Sequence, residues 1–215
     1  MRTLNLHSKP NALRSASRCC ALLALVFLTG NANAVSWMRA AEKVVAEVGN
    51  RPTAVQHQGL IEFGFSPDEG AERLILRVID SARSEIRVMA YAFTSAPVTR
   101  ALLAARKRGV DVALIVDAKS NTGEDRSGKS GSALSALVNA GCRVRTISRY
   151  PIHHDKVLVV DNETVETGSF NFSAAAADRN SENVIVVWKN PALAKSYLQH
   201  WASRFAQGQD FSPRY

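Results

Sequence analysis

Two hydrophobic patterns alternate along this chain. Ala71, Leu74, Ile75, Val78, Ile79 and Ala82 recur at helical spacing on one face. Ser66-Pro67-Asp68-Glu69, just before them, offers an N-cap, a proline for the first helical position and a capping-box glutamate. The continuous apolar run Ile86–Phe93 then reads as a buried strand. A helix from Pro97 to Arg108 is closed by Gly109, and Val110–Val116 is the next strand. A polar stretch, Asp117 to Gly131, leads to a helix over Ser132–Ala140 that stops at Gly141. Strands follow at Arg143–Ile147, Lys156–Val160 and Val184–Trp188, and a last helix from Pro191 aligns Ala194, Tyr197, Leu198, Trp201 and Phe205. The alternation predicts one α/β domain: a mostly parallel or mixed sheet with helices on both faces.

The stretch before this domain is different. Arg2, Lys9, Arg14 and Arg18 precede an apolar run from Cys19 to Leu28, and Ala32-Asn33-Ala34 follows with small residues where a signal peptidase cuts. A run of about ten apolar residues is too short for the ~20 that cross a bilayer. Residues 1–34 therefore read as a cleavable secretory signal, with the mature protein periplasmic or secreted and without a stable membrane anchor. Residues 35–58 read as a short helix, Trp37 to Val48, and a linker, and 59–215 as the α/β domain.

Composition agrees: 215 residues, 46% hydrophobic and 21% charged, exclude a disordered chain or a disulfide scaffold. The net charge of +8 includes the four cations of residues 1–34, and without them 23 basic residues face 19 acidic ones. That balance is only mildly basic. Cys19 and Cys20 leave with the signal, and Cys142 is expected to be a buried, inert thiol.

Two motifs compete for the chemistry. Gly123 to Ser130 matches the phosphate-binding pattern G-x4-G-K-[ST], with Asp161 available at the end of a hydrophobic strand as a magnesium ligand. That motif should turn directly off a strand into a helix, whereas Asp117 to Thr122 intervene here, and an exported protein has no ATP supply. The match reads as a flexible polar loop.

The second motif is His154-Asp155-Lys156, then Asp161, then Gly168-Ser169 and Asn171. Residues two apart on a strand share a face, so His154 and Lys156 align, and Ser169 and Asn171 repeat that spacing on a second segment. A cation and neutral donors suit phosphate oxygens, and an imidazole attacks phosphorus or moves protons. Asp161 falls on the opposite parity, and His153 lacks the register. His57 and His200 read as ordinary surface or packing residues.

At these positions the chain resembles the phospholipase D superfamily, whose signature is H-x-K-x4-D-x6-G-S-x-N. The resemblance runs from about Phe65 to Gln209 and includes Met89–Thr94, Arg108–Val112, Val165–Phe172 and Asn180–Asn183. Within the superfamily the chain looks most like small, metal-independent periplasmic endonucleases of Gram-negative bacteria. The resemblance implies a phospholipase D-like α-β-α sandwich without cofactor or metal. His154 would be the nucleophile that forms a phosphohistidine, and Lys156 and Asn171 would hold the phosphate. Glu182 would orient His154, supported by Ser169, and Asp161 and Gly168 would be structural. Superfamily members use two copies of the motif. This chain has one, which implies a homodimer.

The implied substrate is nucleic acid, DNA or also RNA, with phospholipid head groups as the alternative diester. Lys119, Arg126 and Lys129 in the polar loop are the candidate substrate-binding residues, and Arg143, Arg145 and Arg149 add positive charge before the motif.

Overall fold

The computed structural model describes residues 54–56 and 59–213. The predicted signal, the predicted helix Trp37–Val48 and His57 lie outside the described residues. Among the described residues one sheet of eight strands runs in the order β1-β7-β6-β5-β2-β3-β4-β8. The strands are β1 (Ile61–Ser66), β2 (Glu85–Ala90), β3 (Asp111–Asp117), β4 (Arg143–Ile147), β5 (Lys156–Val160), β6 (Thr164–Gly168), β7 (Glu182–Val187) and β8 (Gln209–Asp210). The helices are α1 (Ala71–Ser81), α2 (Ala96–Lys107), α3 (Lys129–Asn139), α4 (Ala174–Asp178) and α5 (Pro191–Gln207). A single π-helical turn, Lys119–Gly123, lies between β3 and α3.

The sheet is mixed, as expected, but its parallel part is the minority. Only the β2–β3 and β3–β4 pairings are parallel, and β1, β5, β6, β7 and β8 all pair antiparallel. The difference arises at β5, β6 and β7: a tight turn joins β5 to β6, and the longer β6–β7 segment, which carries α4, returns the chain antiparallel beside β6.

Side-chain alternation divides the core into two layers. Ile86, Val88, Val112, Leu114, Leu158, Val160 and Val184 point to the face covered by α1, α2 and α3. Met89, Ala113, Ile115, Val157, Val159 and Val165 point to the other, where α5 lays Ala194 and Trp201 over them. The Trp201 indole donates to the Val88 carbonyl at 3.1 Å. Cys142 is buried and free, as expected, and burial pushes its thiol up to about 11.

Several local expectations are corrected. Ser66 does not cap a helix: it ends β1, opposite Glu182, and α1 begins at Ala71 after Gly70 in the left-handed region (φ 92°). The pairing with β7 claims the residue that the capping pattern needed. β1 itself was unforeseen, although Ile61, Phe63 and Phe65 alternate with Glu62 and Gly64. β6 was also unforeseen, because Thr164-Val165-Glu166-Thr167-Gly168 carries one large apolar residue. The run Ile86–Phe93 leaves the sheet after Ala90, and α3 starts at Lys129, three residues earlier than its spacing implied.

Candidate active site

One end of the sheet collects the motif. β2 and β3 finish there, with Tyr91 just beyond β2 and Asp117 closing β3. The antiparallel neighbours bring Lys156, the first residue of β5, opposite Ala90, and Gly168, the last of β6, opposite Val184. Four separate segments therefore meet at one edge, and strand order does the gathering.

Lys156 is buried, 5% exposed, and its ammonium donates to the His154 carbonyl at 2.9 Å. Burial lowers the Lys156 pKa, and the Asp155 and Glu182 carboxylates pull it part of the way back. The His154 side chain is exposed at the surface, with its ring centroid 4.8 Å from that of Tyr91. Phe170 and Phe172 alternate with Ser169 and Asn171 and are fully buried, which fixes the alternation of this segment. Asn171 keeps its side-chain oxygen buried without a protein hydrogen bond, a polar atom held ready for a partner.

Gly168 is a steric requirement. A β-carbon there would lie 2.1 Å from the Asn183 carbonyl oxygen, so only glycine lets β6 approach β7 at the site. Beside it the Ser169 hydroxyl donates to Glu182 at 2.5 Å and accepts from the Asn183 backbone N–H at 3.0 Å. The other Glu182 oxygen accepts from Asn180 at 2.9 Å. Both Glu182 carboxylate oxygens are thus engaged by Ser169 and Asn180, and among the described residues no hydrogen bond joins Glu182 to the His154 ring.

Asp161 sits apart from this cluster. Its carboxylate caps the α1–β2 turn by accepting from the backbone of Arg83, Ser84 and Glu85 at 2.8–2.9 Å. Burial works to raise its pKa, and these hydrogen bonds outweigh it and leave the group below the ordinary range. Its hydrogen bonds serve the α1–β2 turn, at the end of β5 away from Lys156.

The G-x4-G-K-S stretch does not form a phosphate cradle either. The Asp125 carboxylate already occupies the start of α3, accepting from the backbone of Ser127 at 3.0 Å and of Ser130 at 2.7 Å. An anion would meet a carboxylate there.

The expected basic surface is smaller than the sequence implied. Lys119 pairs with Glu124 at 3.1 Å, and this hydrogen bond raises its pKa. Arg126 and Lys129 are exposed on the loop and at the start of α3. Arg143 and Arg145 are held by Asp111 and Asp210 and pack over Phe205, so the charge before the motif is largely neutralised. Sequence reasoning also missed the environment of His153. This buried imidazole and His200 approach one oxygen of Asp155 at 3.2 and 3.4 Å, behind the motif. His153 is held below its ordinary pKa by burial, against the pull of Asp155. No group of three or more histidine, cysteine, aspartate or glutamate residues is arranged to hold a metal ion among the described residues.

A mixed sheet between helices, with a histidine, a lysine and an asparagine gathered at one edge, defines a phosphodiesterase of the phospholipase D type. Residues 75–205 match the model of the cardiolipin synthase, phospholipase D-like domain, and the chain belongs to the phospholipase D superfamily of phosphodiester hydrolases. It is 41% identical over 164 residues to a phospholipase D of Rickettsia bellii, covering 73% of this chain and 78% of that one. It is 31% identical over 150 residues to the mitochondrial cardiolipin hydrolase of Xenopus tropicalis, covering 68% of each. The crystal structure of Nuc from Salmonella typhimurium, a phospholipase D family member, superposes with a TM-score of 0.68 at 49% identity, over 71% of this chain and 97% of that one.

Proposed function

We propose that this phosphodiesterase is an endonuclease that cleaves DNA, and RNA as a second substrate, without a metal ion. The observation that carries the reading is the donor set at the sheet edge. A buried ammonium on Lys156 and the side-chain amide of Asn171, whose NH2 group can donate and whose oxygen has no protein partner, stand beside an accessible imidazole on His154. A His154 ring nitrogen attacks phosphorus, the P–O bond to the leaving nucleoside breaks, and water then hydrolyses the phosphohistidine. Lys156 and the Asn171 amide N–H group carry the charge that builds on the phosphoryl oxygens. Exposed Lys119, Arg126 and Lys129 supply sequence-independent attraction for a polyanion.

The leaving oxygen needs a proton, and the motif holds one imidazole. In this reading two copies of the chain form a two-fold homodimer, with His154 of each facing a shared phosphate, one attacking and the other donating. Export through residues 1–34, with cleavage after Ala34, places the enzyme in the periplasm or outside the cell.

A second reading, hydrolysis of phospholipid head groups, draws support from β1. Ile61, Phe63 and Phe65 are exposed on that edge strand, Phe63 by 69%, with Leu60 exposed just before it, and β1 pairs with the strand that carries Glu182. Incubating the purified protein in excess chelator with supercoiled plasmid, with RNA or with phosphatidylglycerol vesicles separates the readings. Nicking and linearisation of plasmid without head-group release is expected. Head-group release without nicking overturns the nuclease reading, and activity that returns only with added magnesium or zinc overturns metal independence.

A further inference from the structure

We propose that Tyr91 is a positioning residue that holds the His154 imidazole and the Lys156 ammonium in their reactive arrangement. The inference rests on the reading of His154 and Lys156 as the reacting pair, and it adds a residue outside the motif.

Tyr91 is fixed from both sides through its backbone. Its N–H donates to the Asp155 carbonyl at 2.9 Å, tying it to the segment between His154 and Lys156. Its carbonyl accepts from the Asn121 side chain at 2.5 Å. Asn121 is itself buried on the π-helical turn. Its amide N–H group also donates to the Asp117 carbonyl at 2.8 Å, and its oxygen accepts from the Phe93 backbone at 2.9 Å and the Ser130 hydroxyl at 3.1 Å. Tyr91 is thus clamped between the motif and a saturated amide, and its ring has a defined place.

That place is against both reacting groups. The ring centroid lies 4.8 Å from that of His154, with the planes inclined at 53°, and 5.3 Å from the Lys156 ammonium nitrogen. A ring in this position restricts imidazole rotation and favours the ammonium over its face. Glu182 is taken by Ser169 and Asn180, and neither ring nitrogen of His154 makes a hydrogen bond among the described residues. The aromatic contact is what orients the nucleophile within one chain. Misorientation of a nucleophile lowers the rate of the chemical step more than it weakens binding.

The test compares Tyr91→Phe with Tyr91→Leu in the full protein, with His154→Ala as reference and a thermal melt to verify folding. Tyr91→Leu is expected to lower kcat by about 10- to 100-fold with KM changed by less than about threefold, and Tyr91→Phe to restore kcat to within about threefold. In the proton NMR spectrum the His154 ring signal, assigned by its loss in His154→Ala, should move on Tyr91→Leu and stay on Tyr91→Phe as the ring current is lost or kept. Wild-type kcat in Tyr91→Leu, or an unmoved His154 signal, overturns the proposal. So does a Phe variant as slow as the Leu variant, which makes the hydroxyl the active group, or a rise in KM alone, which makes Tyr91 a substrate contact. Activity surviving in His154→Ala instead overturns the underlying reading of the site, and the NMR comparison still reports on the ring contact by itself.

Discussion

The Asp161 carboxylate accepts from both the backbone N–H and the hydroxyl of Ser84, each at 2.8 Å. Asp161 lies five residues past Lys156, about 16 Å along a strand, so the motif's only aspartate after the lysine serves the fold at the end away from His154. Its φ of 51° is a second constraint, since this left-handed region is tolerated by aspartate and asparagine and costs alanine more.

Removal of Asp161 should therefore act on stability. Asp161→Ala strips charge-assisted hydrogen bonds from three successive residues and is expected to cost about 2–4 kcal/mol. Asp161→Asn, which keeps one acceptor and the φ preference, should recover about half of that. Chemical denaturation measures both, and kcat and KM of the folded fraction should match the wild type. A folded, stable Asp161→Ala protein that has lost kcat would show that the residue belongs to the chemistry.

Glu166 gives a pH dependence of the opposite sign to that of Asp161. It lies opposite Leu158 in the β5–β6 ladder, fully buried, and burial pushes its carboxyl up to about 8 against a weak pull from the Leu158 backbone. The folded state keeps the proton, whereas the unfolded chain releases it near the ordinary glutamate value of 4.5. Its contribution is complete below that value and is lost as pH rises towards about 8, at up to about 1.4 kcal/mol per pH unit. Asp161, whose pKa is lowered, contributes above its unfolded value and loses that contribution as pH falls. Thermal melts of wild type and Glu166→Gln between pH 5 and 9 check this. The variant should gain on the wild type with each rise in pH, and a constant gap would refute the assignment.

Lys129 separates polyanion attraction from nucleotide binding. With Asp125 seated at the start of α3, Lys129→Ala should leave turnover of plasmid intact at low salt, weaken DNA binding, and reduce the slope of log K against log salt by about 1. His154→Ala should bind DNA normally and cleave nothing. An inert Lys129→Ala beside an active His154→Ala would reverse the choice between the two motifs.

Legibility in the sequence followed the range of the contacts. The α1 stripe, the run that became β2 and the spacing of His154, Lys156, Gly168, Ser169 and Asn171 are local patterns, and each maps onto an element or a shared edge. β1 was missed because its apolar residues face outward while Gly64 and Ser66 are buried, the reverse of the pattern that marks a core strand. Arg143 and Arg145 looked free because their partners, Asp111 and Asp210, are 32 and 65 residues away. Tyr91 escaped notice for the same reason: its meeting with His154 depends on the β2–β5 register, which sets Ala90 opposite Lys156. Spacing along the chain marks the candidate site residues, but what surrounds them is decided by strand order.

The dimer is the prediction with the most at stake, because one chain offers one motif imidazole and the proposed reaction needs a nucleophile and an acid. Imidazole is the side chain whose ordinary titration spans neutrality, so a second copy of His154 is the natural donor to the leaving oxygen. His153 does not substitute in this reading, being buried, lowered in pKa by that burial and paired with Asp155. Two consequences follow for measurement. Specific activity should fall on dilution in step with the dimer fraction seen by sedimentation, and the pH–rate profile should be bell-shaped, as expected when one imidazole acts neutral and the other cationic. Mixing His154→Ala with Lys156→Ala should not restore full activity, since every hybrid site still lacks one imidazole. A monomer that retains full specific activity at the lowest concentrations would require an acid within the chain, and it would remove the reason for pairing two copies at one phosphate.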